Sequence, residues 1–332
     1  MNKIRFAIFT DLHLDITPDA LEFFKQFKAD LDTQETDFVI QLGDLVVARP
    51  WLEEYFADPD SFVMPEELAK EKKDFEYHKE YYRRFLEVKK ALPDLYNVLG
   101  NHDHDRADKE YLMRTLPMPA PYYRFTVKGF DLIVLDSNNY YVDGEFIPYD
   151  RQNYMKDKRE GKHLDALGKQ QLEWLREVLA SNNNPALLFA HAPMDTAIYE
   201  REEFAAILRE ARQNGKKIIM CANGHSHIDS FNLVDGVYYW EVNCMTNRFL
   251  SRALEPAHYY GEALSAQYRN IRFGCPYDAP LYAYVTVYED GHVKIEGRKA
   301  EYRHPNPDER GFVNNNPKAG GPEIKDREFF VE

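Results

Sequence analysis

Asp11-Leu12-His13 sets a carboxylate and an imidazole one residue apart. Past the end of a strand, that spacing lets both side chains reach one cation. Four more polar motifs follow in order: Gly43-Asp44, Gly100-Asn101-His102-Asp103, His191 within Ala190-His191-Ala192-Pro193, and Gly224-His225-Ser226-His227. Asp, Asn and His are the side chains that ligate borderline divalent metals. Together they supply enough donors for two cations a few ångströms apart. Asp44 is a carboxylate suited to bridging such a pair, and Asn101 offers a carbonyl oxygen without adding charge. Each motif alone has a plainer reading: a hydrogen-bonded core histidine, a Gly-Asp turn, an asparagine loop cap. Only their joint occurrence points to metal.

Almost every motif directly follows an apolar, strand-like run. Ile4 to Phe9 precedes Asp11, Phe38 to Leu42 precedes Gly43-Asp44, and Leu95 to Leu99 precedes Gly100-Asn101. Ala186 to Ala190 leads to His191, and Lys217 to Ala222 leads to Gly224-His225. Phe130 to Leu135, Val237 to Val242 and Leu281 to Tyr288 read as further strands. Between them, Leu21, Phe24, Phe27 and Leu31 recur at helical spacing, with Thr17 as expected cap and Pro18 as first helical residue. Gly168 to Leu179 and Arg201 to Asn214 read as amphipathic helices, the second stopped by Gly215. Repeated strand, loop and helix units imply an α/β architecture, whose ligand sites fall at the carboxyl ends of strands. The glycines before Asp44, Asn101 and His225 are expected to turn the next side chain back over the sheet edge.

The order and residue types resemble the calcineurin-like metallophosphoesterase superfamily over roughly residues 4 to 245. The resemblance implies a four-layer αββα sandwich. It implies that Asp11, His13, Asp44 and His227 hold one metal, and Asp44, Asn101, His191 and His225 the other. His102 would contact the phosphate or protonate the leaving group, while Asp103 organises its loop. Water made nucleophilic by the two cations would attack phosphorus in line. Protein Ser/Thr phosphatases carry an Asp where Val47 stands, so the partner that orients His102 is not named by the motif. Purple acid phosphatases carry a Tyr iron ligand at that position, so no purple ferric site is expected. Gly-Asn-His-Asp looks more like the bacterial phosphodiesterase and small-molecule phosphatase branches. His104, Asn138 and Arg248 follow motifs or strand ends and are candidate substrate contacts.

The 332 residues carry a net charge of −14, which opposes a polyanionic partner such as nucleic acid. It does not oppose a small phosphate ester. Two divalent cations with Asp11, Asp44 and one hydroxide leave a centre of about +1. His, Asp and Asn donors suit manganese, iron or zinc alike. No 18-residue apolar run suggests a membrane span. Arg5 interrupts the first apolar stretch and no small-residue cleavage site follows, so a cytoplasmic location is expected. Cys221, Cys244 and Cys275 read as reduced buried thiols. The expected organisation is one metallophosphoesterase domain over 1–300 with insertions at 49–92 and 251–280, followed by an extended tail over 301–332. The aromatic residues of the insertions either overhang the site or pack on the surface. The expected activity is hydrolysis of a small-molecule phosphate diester or monoester. A nuclease of the same superfamily would require a basic groove. A non-catalytic scaffold would have lost ligands, whereas here every ligand position is filled. Nothing in the sequence sets the oligomeric state.

Overall fold

A computed structural model describes residues 2–46, 49–64, 75–161, 164–313 and 320–331. Val47 lies outside the described residues.

Two six-stranded sheets carry the fold. The first runs, in spatial order, Arg327–Phe330, His292–Glu296, Ala283–Tyr288, Lys3–Phe9, Phe38–Gln41 and Leu95–Asn97. The second runs Ser230–Val234, Val237–Glu241, Ile218–Asn223, Ala186–Phe189, Phe130–Val134 and Tyr123–Val127. The strands that precede motifs are parallel to one another: Lys3–Phe9 with Phe38–Gln41 and then Leu95–Asn97, and Phe130–Val134 with Ala186–Phe189 and then Ile218–Asn223. Parallel pairing sends all their carboxyl ends the same way, so the motif loops of each sheet gather at one edge.

Side chains alternate across each strand, and both faces are apolar. Phe6, Ile8 and Ile40 of the first sheet meet Leu132, Phe189, Met220 and Trp240 of the second in a shared core. Phe6 stacks on Phe38 at 4.6 Å and meets Phe189 edge-on at 5.9 Å across the sheets. The alternate residues Ala7, Phe9 and Val39 pack outward on Phe24 and Phe27 of helix Ala20–Leu31 and on Tyr81 and Phe85 of helix Phe75–Lys89. Ile133, Leu188 and Cys221 pack outward on Leu172 and Leu175 of helix Lys169–Ala180 and on Phe204 and Leu208 of helix Arg201–Gln213. The result is helix, sheet, sheet, helix, the expected four layers.

Several local expectations need correction. Thr17 does not cap the first helix, which begins at Ala20 after Asp19. Its hydroxyl instead meets Thr246 Oγ1 at 3.4 Å and accepts from Asn247 Nδ2 at 3.2 Å, which ties the segment after His13 to the one after strand Val237–Glu241. Within the tail, Arg327–Phe330 pairs with His292–Glu296 as an edge strand. The first insertion contributes Tyr81, Tyr82 and Phe85 to the core rather than overhanging the site. All three cysteines are buried and free. Among the described residues, no helix is long and apolar enough to cross a membrane.

Candidate metal centre

Asp11, His13, Asp44, His225 and His227 all adopt positive φ, between 46° and 71°. For residues with a Cβ this left-handed backbone costs about 1–2 kcal/mol each. Inter-loop hydrogen bonds hold it: Asp11 N to Gly43 O, His13 N to Asp44 O and Gly224 N to His191 O, each 3.0 Å. Gly43 is turned by its own φ of +103°. Gly100 is required by close approach instead, since a Cβ there would lie 2.2 Å from Asp44 Oδ1 and 2.3 Å from Asp44 N. Gly100→Ala is therefore expected to displace Asp44 and destabilise the fold by about 1–3 kcal/mol, read as a lowered urea midpoint. An unchanged midpoint would show that the loop absorbs the methyl group.

The loops bring together two clusters. In the first, Asp11 Oδ1 lies 3.2 Å from His227 Nε2 and 3.6 Å from His13 Nε2, and the two imidazole nitrogens are 3.2 Å apart. In the second, Asp44 Oδ2 lies 3.3 Å from His191 Nε2, which lies 3.3 Å from His225 Nδ1. Asn101 Oδ1 sits 2.9 Å from His225 Nδ1 and 3.2 Å from His191 Nε2. Asp44 Oδ2 is also 3.6 Å from His13 Nε2, so one carboxylate joins both clusters.

Each carboxylate has one oxygen anchored and one turned inward. Asp11 Oδ2 accepts from Thr10 Oγ1 at 2.6 Å and from His225 N at 3.1 Å, while Oδ1 is buried with no donor aimed at it. Asp44 Oδ1 accepts from His102 N at 2.8 Å, while Oδ2 faces His13 and His191. Two histidines are anchored the same way. His191 Nδ1 donates to Leu42 O at 2.8 Å, and His227 Nδ1 donates to Asn247 O at 3.1 Å. Both Nε2 atoms are thereby left as inward lone pairs. Buried lone pairs facing one another repel unless a proton or cation lies between them. The donor set therefore fits divalent cations.

Electrostatics agree with that reading. Burial alone would push His191 down, but the Asp44 carboxylate outweighs it and raises the imidazole to about 9. His227 is raised against burial by Cys244 and Asp11, while burial and the neighbouring His191 lower His225 to about 4. Asp11 and Asp44 are held low against burial by the surrounding imidazoles. Protons thus occupy, in part, the place where cations fit.

His102 lines the cavity above the clusters, with its side chain 44% exposed. Its Nδ1 lies 2.8 Å from Asp105 Oδ2, and Tyr154 donates to Asp105 Oδ1 at 3.0 Å. Asp105, three residues on, is thus the carboxylate that engages the His102 ring. Burial lowers the His102 pKa, but Asp44 and Asp105 raise it to about 9. Asp103 knits the loops: its carboxylate accepts from the backbone N–H groups of Asp44 (3.1 Å), Val46 (2.7 Å) and Gly100 (2.8 Å).

The candidate substrate residues lie elsewhere. His104 is wholly buried against Tyr149, because the turn of Asp103–Asp105 points it inward. Asn138 is spent on Leu99 O (2.7 Å) and Asp136 Oδ1 (2.9 Å). Arg248 donates to Gly320 O at 3.1 Å and lies over Phe312. None of the three lines the cavity, which measures about 440 Å³. Its walls come from Gln152, Tyr154, Met155 and Lys158, and from Phe249, Arg252 and Asn270. The first of these segments carries no motif, whereas Arg252 and Asn270 belong to the second insertion, 251–280, one of the two whose residues were expected either to overhang the site or to pack on the surface.

A family model described as calcineurin-like phosphoesterase matches residues 4–229. No curated protein matches the sequence. Among solved structures, the chain is similar to a candidate 5'-nucleotidase of Staphylococcus aureus, at 12% identity and a TM-score of 0.43. That match covers 95% of this chain and 56% of the other, so the chain spans little more than half of its length. It is similar to GAP50, the anchor in the inner membrane complex of Plasmodium, at 11% identity and a TM-score of 0.45, covering 100% and 90% of the two chains. It is also similar to the phosphopantetheinyl hydrolase of Mycobacterium tuberculosis, at 14% identity and a TM-score of 0.36, covering 72% and 88%. Every cluster residue from Asp11 to His227 falls inside the stretch matched by the family model, and the chain belongs to the calcineurin-like phosphoesterase family.

Proposed function

We propose that the protein is a hydrolase of small-molecule phosphate esters that works with two divalent cations. The observation that carries this reading is Asp44 Oδ2, which stands within 3.6 Å of His13 Nε2 and 3.3 Å of His191 Nε2 and so belongs to both clusters. Asp11, His13, Asp44 and His227 would hold one cation, and Asp44, Asn101, His191 and His225 the other. Manganese, iron or zinc suits these donors. When bound, the pair supplies a nucleophile from water near neutral pH and neutralises charge on the phosphate.

The chain's own residues do the rest. Leu42 O and Asn247 O fix His191 and His227 in one tautomer. Asp105 engages His102 Nδ1, which leaves Nε2 to the cavity. As the bond from phosphorus to the leaving oxygen breaks, His102 Nε2 gives its proton to that oxygen. Asp44 and Asp105 keep that proton on the ring at neutral pH.

A hydrolysis panel tests the proposal. The manganese-loaded protein is expected to cleave bis(4-nitrophenyl) phosphate or 4-nitrophenyl phosphate and to lose that activity on chelation. The preferred probe separates diesterase from monoesterase. Metal in native protein with no turnover of either ester would leave a binding scaffold. Cleavage confined to single-stranded DNA would make it a nuclease.

Cation uptake is also expected to release protons. Without cations, His191 carries a proton at pH 7, since its pKa lies near 9. A cation on Nε2 must expel it, so affinity falls as pH drops below that value, by up to about tenfold per unit for each proton displaced. Calorimetry in buffers of different ionisation enthalpy reads the released protons directly. Heats that do not depend on buffer would contradict the ligand role of His191.

A further inference from the structure

Lys158 and Arg252 line the same cavity as His102 and the two clusters. They come from separate segments, the helix Met155–Arg159 and the loop that follows strand Asn247–Phe249. Both side chains are exposed. Lys158 Nζ lies 5.7 Å from the centre of the Tyr154 ring, which steadies its stem. Among the described residues, neither cation has a carboxylate partner. Two carboxylates of the same wall pair with other groups: Asp15 Oδ2 with Arg106 at 3.2 Å and Asp105 Oδ2 with His102 at 2.8 Å. On a chain of net charge −14, two uncompensated cations in one wall make a local attractor for anions.

We propose that Lys158 and Arg252 form a subsite for a second phosphoryl group. This rests on the hydrolase reading above and narrows it to pyrophosphate-linked esters, with one phosphorus at the metal clusters and the next held by the two cations. A phosphoryl group fits better than a carboxylate, because the amides of Gln152 and Asn270 line the same cavity and add donors for a third oxygen. Arg252 provides a planar fork and Lys158 a point charge, the two forms in which proteins hold phosphate. Phe249 gives the organic part an aromatic face. A volume of about 440 Å³ lies within the range of small-molecule sites.

The test uses the manganese-loaded full chain with UDP-glucose and bis(4-nitrophenyl) phosphate as probes. Lys158→Ala and Arg252→Ala are each expected to lower the ratio of kcat/KM for UDP-glucose to that for the nitrophenyl diester by about tenfold, mainly through KM. A ratio that stays at its wild-type value in both variants overturns the subsite. If the wild type cleaves neither probe, the hydrolase reading has failed, and calorimetry then decides the subsite alone. UDP binding at least about tenfold more tightly than UMP, with the preference lost in the double variant, supports it. Equal affinity for UDP and UMP overturns it.

Discussion

Asp44→Ala is expected to lose bound manganese and about 10³-fold or more of turnover on bis(4-nitrophenyl) phosphate, or roughly 4 kcal/mol of barrier. The effect is large because one carboxylate serves two clusters. Its Oδ2 is the only atom near both His13 Nε2 and His191 Nε2 among the cluster distances described above. Its charge also favours the protonated form of the neighbouring imidazoles, since it is the leading attraction on His191 and His102. Asp44→Asn separates the two roles, because an amide oxygen can still accept from His102 N while the charge is gone. Elemental analysis of both variants beside the kinetics gives the check. Wild-type metal content together with wild-type turnover in Asp44→Ala would remove the basis of the proposed function.

His102→Ala is expected to retain metal and lose about 10²–10⁴-fold in turnover of esters with alkyl leaving groups. Nitrophenol departs without a proton, so its esters are expected to lose far less. Equal losses on both would argue that His102 contacts phosphate and does not protonate the leaving group. The pH profile carries the sign. A general acid must be protonated, so activity falls as pH rises through the His102 pKa. Asp105 helps to raise that pKa to about 9 in the chain alone, and cations beside Asp44 oppose it, so the limb in the loaded enzyme lies lower. Asp105→Asn removes one source of the upward pull and moves the limb further down in pH. An unmoved limb would show that Asp105 only packs the loop.

The residues of the two clusters were legible because each is a metal-binding type placed directly after an apolar run. The parallel strands that deliver them were legible for the same reason: strands buried on both faces read as unbroken apolar stretches. Weaker strands were not. Tyr123–Val127 and Arg327–Phe330 are edge strands with alternate residues exposed, and they blend into their polar surroundings. The partner of His102 escaped because Asp105 resembles any loop aspartate until a turn sets it beneath the ring. His104 and Asn138 misled because closeness in sequence to a motif says nothing of which way a turn points. The cavity wall at Gln152–Lys158 was hidden for another reason, since it has no periodicity and meets the clusters only through tertiary packing.

The strand that precedes Asp11 and His13 is flanked by Phe38–Gln41 on one side and by Ala283–Tyr288 on the other, with Lys3 opposite Tyr288. A nascent chain can make the first pairing early, but the second waits for Ala283–Tyr288, made long after Phe9. At about 5–20 residues per second, that interval lasts tens of seconds. Through it, Asp11 and His13 stand beyond a strand that is paired on one side only. Completion of the sheet edge that carries Asp11 and His13 thereby waits on a long-range pairing with Ala283–Tyr288, a slower event than local helix formation.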